Sequence, residues 1–182
     1  IGQELITSFL LNLEALAWTA VISLVLSYLT VLPVVRPLVG FISKLRFASL
    51  VGLTIIFLMM TRSGHELKLW MLVFGETVFM VTTMARNVYE IPEVKFDHAR
   101  TLRYGEWGVV WEVVIKGHRH QAIETLRQIA AIGWVMLTMV EGVVRSEGGI
   151  GVVLLNMDRQ LKLEMVYAIQ LMILAVGLFF DI

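Results

Sequence analysis

Glu76 and Glu141 each stand inside a stretch that is otherwise almost wholly apolar, and Glu14 stands in a third. A carboxylate in such surroundings is costly to desolvate, so it faces a bundle interior or a water path, or it finds a partner. Thr77, Thr82, Thr83 and Asn87 continue a polar side beyond Glu76, and Gln128 and Thr138 do the same before Glu141. Side chains of this kind either line a path for a solute or bind helix to helix. Glu76, Thr77, Thr138 and Glu141 are the candidates for a path. An anionic solute would sit awkwardly there unless the acids are protonated or paired, for instance with Arg86 or Arg145.

Other chemistry is thinly represented. His118 and His120 are two apart, with His98 upstream, but residues at i and i+2 of a helix diverge and no thiolate or clear carboxylate completes a metal set. These basic residues suit a lipid headgroup boundary. The sequence holds no cysteine, so disulfides and thiolate sites are excluded. It holds no phosphate-binding glycine loop, dinucleotide fingerprint or nucleophile triad. Net charge is zero, which removes any global field toward nucleic acid.

The elements that carry these residues follow from composition. Of 182 residues, 58% are hydrophobic and 16% charged, with a mean hydropathy of +0.79. So few charges do not cover the surface of a soluble domain of this size. A bilayer core is crossed by roughly 20 apolar residues in helix. Five stretches qualify as spans: 5–31, 45–61, 67–88, 123–144 and 163–180. The second is short and follows Pro33 and Pro37, which fit a bent entry or a short separate helix. The expectation is an all-α, polytopic membrane protein forming one domain over 1–182.

Basic residues orient the spans. Ten of the 15 fall on one side: Arg36, Lys44, Arg46, Arg86, Lys95, Arg100, Arg103, Lys116, Arg119 and Arg127. The positive-inside rule makes that side, with the long segment between spans three and four, cytoplasmic. The chain then enters its first span from outside, which with Ile1 at the start fits an upstream helix and a cytoplasmic N-terminus. After span four, Gly148, Gly149 and Gly151 permit positive φ or close backbone contact, and a plain turn would use them equally well.

The segment 93–117 interrupts the apolar pattern with charges of both signs. Ile91-Pro92 ends a span, and Pro92 suits the start of a new helix. Phe96, Ala99, Leu102 and Arg103 share a helical face, Gly105 permits a break, and Trp107, Val110, Trp111 and Val114 form a second apolar face. The pattern is helix, turn, helix across the cytoplasmic surface. A helix that simply lies in the interface has the same pattern.

The stretch IPEVKFDHARTLRYGEWGVVWEVVI resembles the cytoplasmic loop of bacterial ABC importer permeases, the inner-membrane component of binding-protein-dependent transport systems. That loop reads roughly Glu-Ala-Ala, three residues, Gly, then about nine residues and Ile-x-Leu-Pro. Asp97-His98-Ala99 stands for Glu-Ala-Ala. Arg100-Thr101-Leu102 is similar to the subgroup importing nitrate, sulfonates, taurine or bicarbonate, as are Glu141 and Gly149-Ile150-Gly151. The likeness extends over nearly the whole chain. It departs at His98, at Arg103, which stands where the motif has glycine (Gly105 lies two residues on), and at Lys116-Gly117, which replaces Leu-Pro.

The resemblance implies a type I importer permease bundle of about five spans in the bacterial inner membrane, with 93–117 as a cytoplasmic coupling loop. Asp97, His98, Ala99, Arg100, Leu102, Arg103 and Gly105 would contact an ABC ATPase subunit. Ala99 would be the small face seated in its groove, Asp97 and Arg100 the charged rim, and Trp107 and Trp111 the rigid connection to the spans. The implied partners are two ATPases, a second permease copy and a periplasmic or lipid-anchored solute-binding protein, within membrane lipid and without nucleic acid. ATP would be bound and hydrolysed by the partner, this chain carrying no cofactor and no enzyme activity of its own. The alternatives are a non-transporting or degenerate scaffold of the same fold, and, more remotely, a membrane enzyme using His98, His118 and His120.

Overall fold

A computed structural model describes residues 2–29 and 36–181. Among them the chain is helical, with no strand. The helices are α1 (Gly2–Tyr28), α2 (Arg36–Lys44), α3 (Leu50–Met60), α4 (Gly64–Tyr89), α5 (Glu93–Thr101), α6 (Glu106–Val109), α7 (Arg119–Val143), α8 (Ile150–Arg159) and α9 (Leu163–Asp181). A 3₁₀ turn (Leu45–Phe47) follows α2, and a π-helical stretch (Val110–Lys116) follows α6.

Helices α1, α4, α7 and residues 163–180 of α9 are long and apolar enough to cross a membrane. Their packing suits a hydrocarbon surrounding. On α1 the residues turned inward are Ser8, Asn12, Ala15, Thr19, Ser23 and Ser27, all fully buried, together with Leu11, while Ile6, Leu10, Trp18, Val21 and Val25 face out. Water would favour the reverse. In lipid, small residues inside let backbones approach and large apolar ones cost nothing outside. On α9 only Ile169 and Ile173 are buried, while Leu171, Leu174, Leu178 and Phe179 are exposed.

Contacts fix the helix directions. Glu14 meets His65 at 3.2 Å, Thr19 bonds Glu76, and Tyr28 packs with Met84, so α1 and α4 run parallel. Ser8 bonds Glu141 while Tyr28 packs beside Ala122, so α7 runs against both. The chain between α1 and α4 must therefore return along the bundle. It does so as a broken pair: α2 sets Val39 against Val81 and Ala85, and α3 sets Leu50 and Phe57 against Met71 and Leu67. The two pieces are bent by 113°.

This revises the expected second span. Neither part is long enough alone, since the 11 residues of α3 give only about 16 Å of helix at 1.5 Å per residue. The return begins with α2, because Val39 buries its side chain on α4; Pro37 sits in the first turn of α2, where its missing N–H costs nothing. Pro33 lies outside the described residues. Arg46, expected at the cytoplasmic edge, instead lies at the break beside Gly75, Val78 and Phe79, about halfway along α4.

Helix α4 starts where Ser63 accepts from the Glu66 N–H at 3.2 Å and the Glu66 carboxylate accepts from the Arg62 N–H at 2.9 Å. This reciprocal capping, close to a capping box, fixes the sharp entry from α3. At the other end Ile91 and Pro92 divert the chain into α5. Val88, Ile91 and Val114 form a buried cluster there, with Tyr28, Phe96 and Val113 packed on it.

Candidate functional site

Two groups of candidate residues lie at opposite ends of the bundle, with Glu76 between them. At the α4–α7 junction, α5 closes with a Schellman motif: the Tyr104 N–H donates to the Ala99 carbonyl at 3.3 Å and the Arg103 N–H to the Arg100 carbonyl at 2.9 Å. This geometry requires a left-handed residue just past the helix. Arg103 takes it, with φ 61°. Glycine is the usual occupant because a Cβ is disfavoured there. The backbone thus makes a turn that glycine would favour. Gly105, offered above as the break, has φ −68° and caps α6 instead.

The faces of this segment differ from expectation. Ala99 is the buried residue of α5, against the π-helical stretch, because its small side chain lets α5 lie close to Val113 and Gly117. It is not the exposed seat for a groove. The outward apolar residues are Val94 and Leu102, 75% and 60% exposed, flanked by Tyr104. Asp97, His98, Arg100 and Arg103 are exposed around them. Arg100 pairs with Asp97 at 3.5 Å and with Glu106 at 3.8 Å, which holds the rim in register.

Trp107 and Trp111 do not brace the segment, being 70% and 55% exposed. They stand beside Val25 and Leu29 at the end of α1, a position suited to a membrane interface. The bracing comes from Val109, Val110 and Val114, which are buried. His118 donates to the Val113 carbonyl (2.9 Å) through Nδ1, and no cluster of metal-ligating side chains exists among the described residues.

At the opposite end Glu141 organises the glycine turn. Its Oε1 accepts from the Ser8 hydroxyl at 2.5 Å and its Oε2 from the Gly151 N–H at 2.8 Å. Ser8 in turn accepts from the Ile150 N–H at 2.9 Å, and Glu4 accepts from the Gly149 N–H at 2.6 Å. Anionic groups thus take the free donors at the start of α8. Lys68, 2% exposed, donates to the Gly148 carbonyl at 2.6 Å and places positive charge in the same cluster. Gly149 needs its φ of 114°, and a Cβ there would strike the Glu141 carboxylate. Gly151 lies so close to the Thr138 carbonyl that a Cβ would collide with it.

Glu141, Gly149 and Gly151, singled out separately in the sequence, therefore form one latch. Thr138 contributes only backbone to it, its hydroxyl donating to the Val135 carbonyl. Glu76 does not join this group: it is fully buried, and its Oε2 accepts from Thr19 at 2.9 Å. The polar side of α4 is shared among neighbours, Thr82 bonding Ser43 and Asn87 bonding Thr125. Arg86 pairs with Glu90 and Arg145 turns back to the Gly142 carbonyl, so neither reaches Glu76 or Glu141. Glu14 is half-exposed on its pair with His65.

Sequence reasoning missed Ser8, Asn12, Thr19, Ser23, Ser27 and Lys68. The first five had a readable signal, small polar residues recurring every four positions or so on an apolar helix, which marks a packed face in lipid. Lys68 had none, since a lysine near a helix start reads as an end residue.

No family model matches the chain, and no curated protein or solved structure matches it either.

Proposed function

We propose that the chain is the membrane subunit of an ATP-driven importer, coupled through α5 to a separate ABC ATPase. The observation that carries this reading is the Schellman turn at Arg103. It sets a left-handed backbone at the position where the resembled motif has glycine, the residue that most readily adopts it, and it closes a helix whose Val94 and Leu102 face outward beside the Val88–Ile91–Val114 cluster. Closure of two ATPases would move two such segments together, and the rigid seat would pass that motion to α4 and α7. The bundle would then change between outward-open and inward-open states, an equilibrium biased by a ligand that prefers one of them. A small solute, of anionic class if the subgroup likeness extends to cargo, would be delivered by an external binding protein.

The test uses the chain reconstituted in vesicles with its ATPase and binding protein. Val94→Asp and Leu102→Asp should each abolish hydrolysis stimulated by the binding protein while the thermal midpoint of the chain stays unchanged. Undiminished stimulation in both variants would refute the coupling role. The departures at His98, Arg103 and Lys116-Gly117 favour a second reading, a scaffold that docks a cytoplasmic partner without moving solute. Partner binding with no solute flux is its signature.

A further inference from the structure

Halfway along the bundle, two helices turn polar side chains toward a glycine of a third. Glu76 and Asn12 are both fully buried. Thr19 satisfies Glu76 Oε2, but Glu76 Oε1 makes no hydrogen bond, and neither does the oxygen or the nitrogen of the Asn12 amide. These unpartnered atoms converge over Gly133 of α7. A Cβ at Gly133 would run into Glu76 Oε1 and stand 3.2 Å from Asn12 Oδ1. The missing side chain of Gly133 is what leaves room for both.

A charge on Glu76 would also be unmatched. None of the ion pairs among the described residues involves it. From α1 it meets Thr19 and lies near Asn12, and from α7 it faces Gly133. The nearest charged side chains of α7 are engaged elsewhere, Arg127 with Glu124 and Glu141 in the latch. Arg46 lies against Gly75, Val78 and Phe79, a different face of α4. Turning the Asn12 amide over would give Oε1 a donor but leave the charge unanswered, and a water molecule would do the same. An isolated buried carboxylate is among the costliest groups a fold can hold, and at mid-depth in lipid more so.

We propose that Glu76, Asn12 and Thr19 form a binding site for one small monovalent cation held by oxygen atoms, filled by Na⁺ or by a proton. A single carboxylate with amide and hydroxyl oxygens suits one positive charge, whereas Ca²⁺ takes six or more oxygen ligands and Mg²⁺ demands an octahedral shell. Ser23, one turn further along α1, has its hydroxyl buried without a partner as well, which continues the polar line from this site toward the α5 end. The inference rests on the bundle alone and does not require the ATPase reading, since cation binding is measured on the isolated chain.

Thermal unfolding of the purified full-length chain in detergent tests it. NaCl is titrated against N-methylglucamine chloride at constant ionic strength, over a series of pH values. If Na⁺ is the ligand, the midpoint rises saturably with Na⁺. Thr19→Val then needs about tenfold more Na⁺, as expected for losing one buried polar contact to a charged group, and Glu76→Gln does not respond. If the ligand is a proton, the midpoint ignores Na⁺ and gains more on acidification in the wild type than in Glu76→Gln. Identical responses of wild type and Glu76→Gln to both Na⁺ and pH would overturn the proposal. Should Glu76→Gln fail to fold, identical responses of wild type and Thr19→Val to both would overturn it equally.

Discussion

The two ends of the bundle are finished in opposite ways. At the latch, polar groups are drawn inside and satisfied: Glu141 takes two donors, Ser8 both gives and accepts, and Lys68 is buried on a carbonyl. At α5, apolar groups are left outside: Val94 and Leu102 project beyond the ends of α1 and α4 on a helix whose own buried contacts are already made. A chain that satisfies its polar groups so thoroughly at one end has no physical reason to expose apolar ones past the other, unless something covers them. The latch holds one end of the fold together, and α5 is seated at the other by the cluster of Val88, Ile91 and Val114. Substitutions at the first should therefore change stability, and substitutions at the second should change association.

The largest effect belongs to Glu141→Ala. It strands the Gly151 N–H and the Ser8 hydroxyl proton, removes one of the three carboxylates around Lys68, and should cost about 3 kcal/mol, read from unfolding of the purified chain. Loss of less than about 1 kcal/mol would mean that the latch does not anchor α8. Gly149→Ala comes next, at about 2 kcal/mol, because φ is 114° and the new methyl meets the Glu141 carboxylate. The double variant Glu141→Ala/Gly149→Ala should cost clearly less than the sum, since the clash disappears with the carboxylate; simple additivity would show that the two residues do not act together.

At the other end, Val94→Asp and Leu102→Asp should leave stability within about 0.5 kcal/mol of wild type, as exposed positions do. A large destabilisation of either would mean that these side chains are part of the fold and not a free surface. Arg103→Gly, at the same end, acts in the opposite direction. Relieving a left-handed residue at a Schellman turn should stabilise the chain by about 0.5 to 1 kcal/mol, offset in part by the greater freedom of glycine when unfolded. A destabilisation would show that the Arg103 side chain makes a contribution that its exposure does not suggest.

Much of this architecture was legible in the residues. The long apolar helices follow from the length of their runs, and the helix–turn–helix of 93–117 from Pro92 and the spacing of Phe96, Ala99 and Leu102. Glu141 and the Gly149–Gly151 turn were each conspicuous, but no local pattern says that residues ten apart in sequence meet through a helix start. The broken return of α2 and α3 was half visible: Pro37 allowed a short separate helix, which α2 is, while the 113° bend after Phe47 and the depth of Arg46 depend on Val39 finding α4, a tertiary event. Ala99 was misplaced for a related reason. Its size suggests close approach, and sequence does not tell whether the approaching surface belongs to the same chain. The stripe on α1 obeys the packing of lipid-embedded helices, in which small residues at about every fourth position turn inward and large apolar ones face out.

The coupling claim has one direct test, and the absence of cysteine makes it clean. A single cysteine at Leu102 in the full chain, within native membranes, is offered first to an impermeant maleimide and then to a short thiol-reactive cross-linker. The account predicts labelling only from the cytoplasmic side, and a cross-link to a chain that carries an ATP-binding loop, weakened when ATP binding moves that chain. Labelling from outside, or accessible Leu102 cysteine with no cross-link to any ATPase in the intact complex, would contradict it.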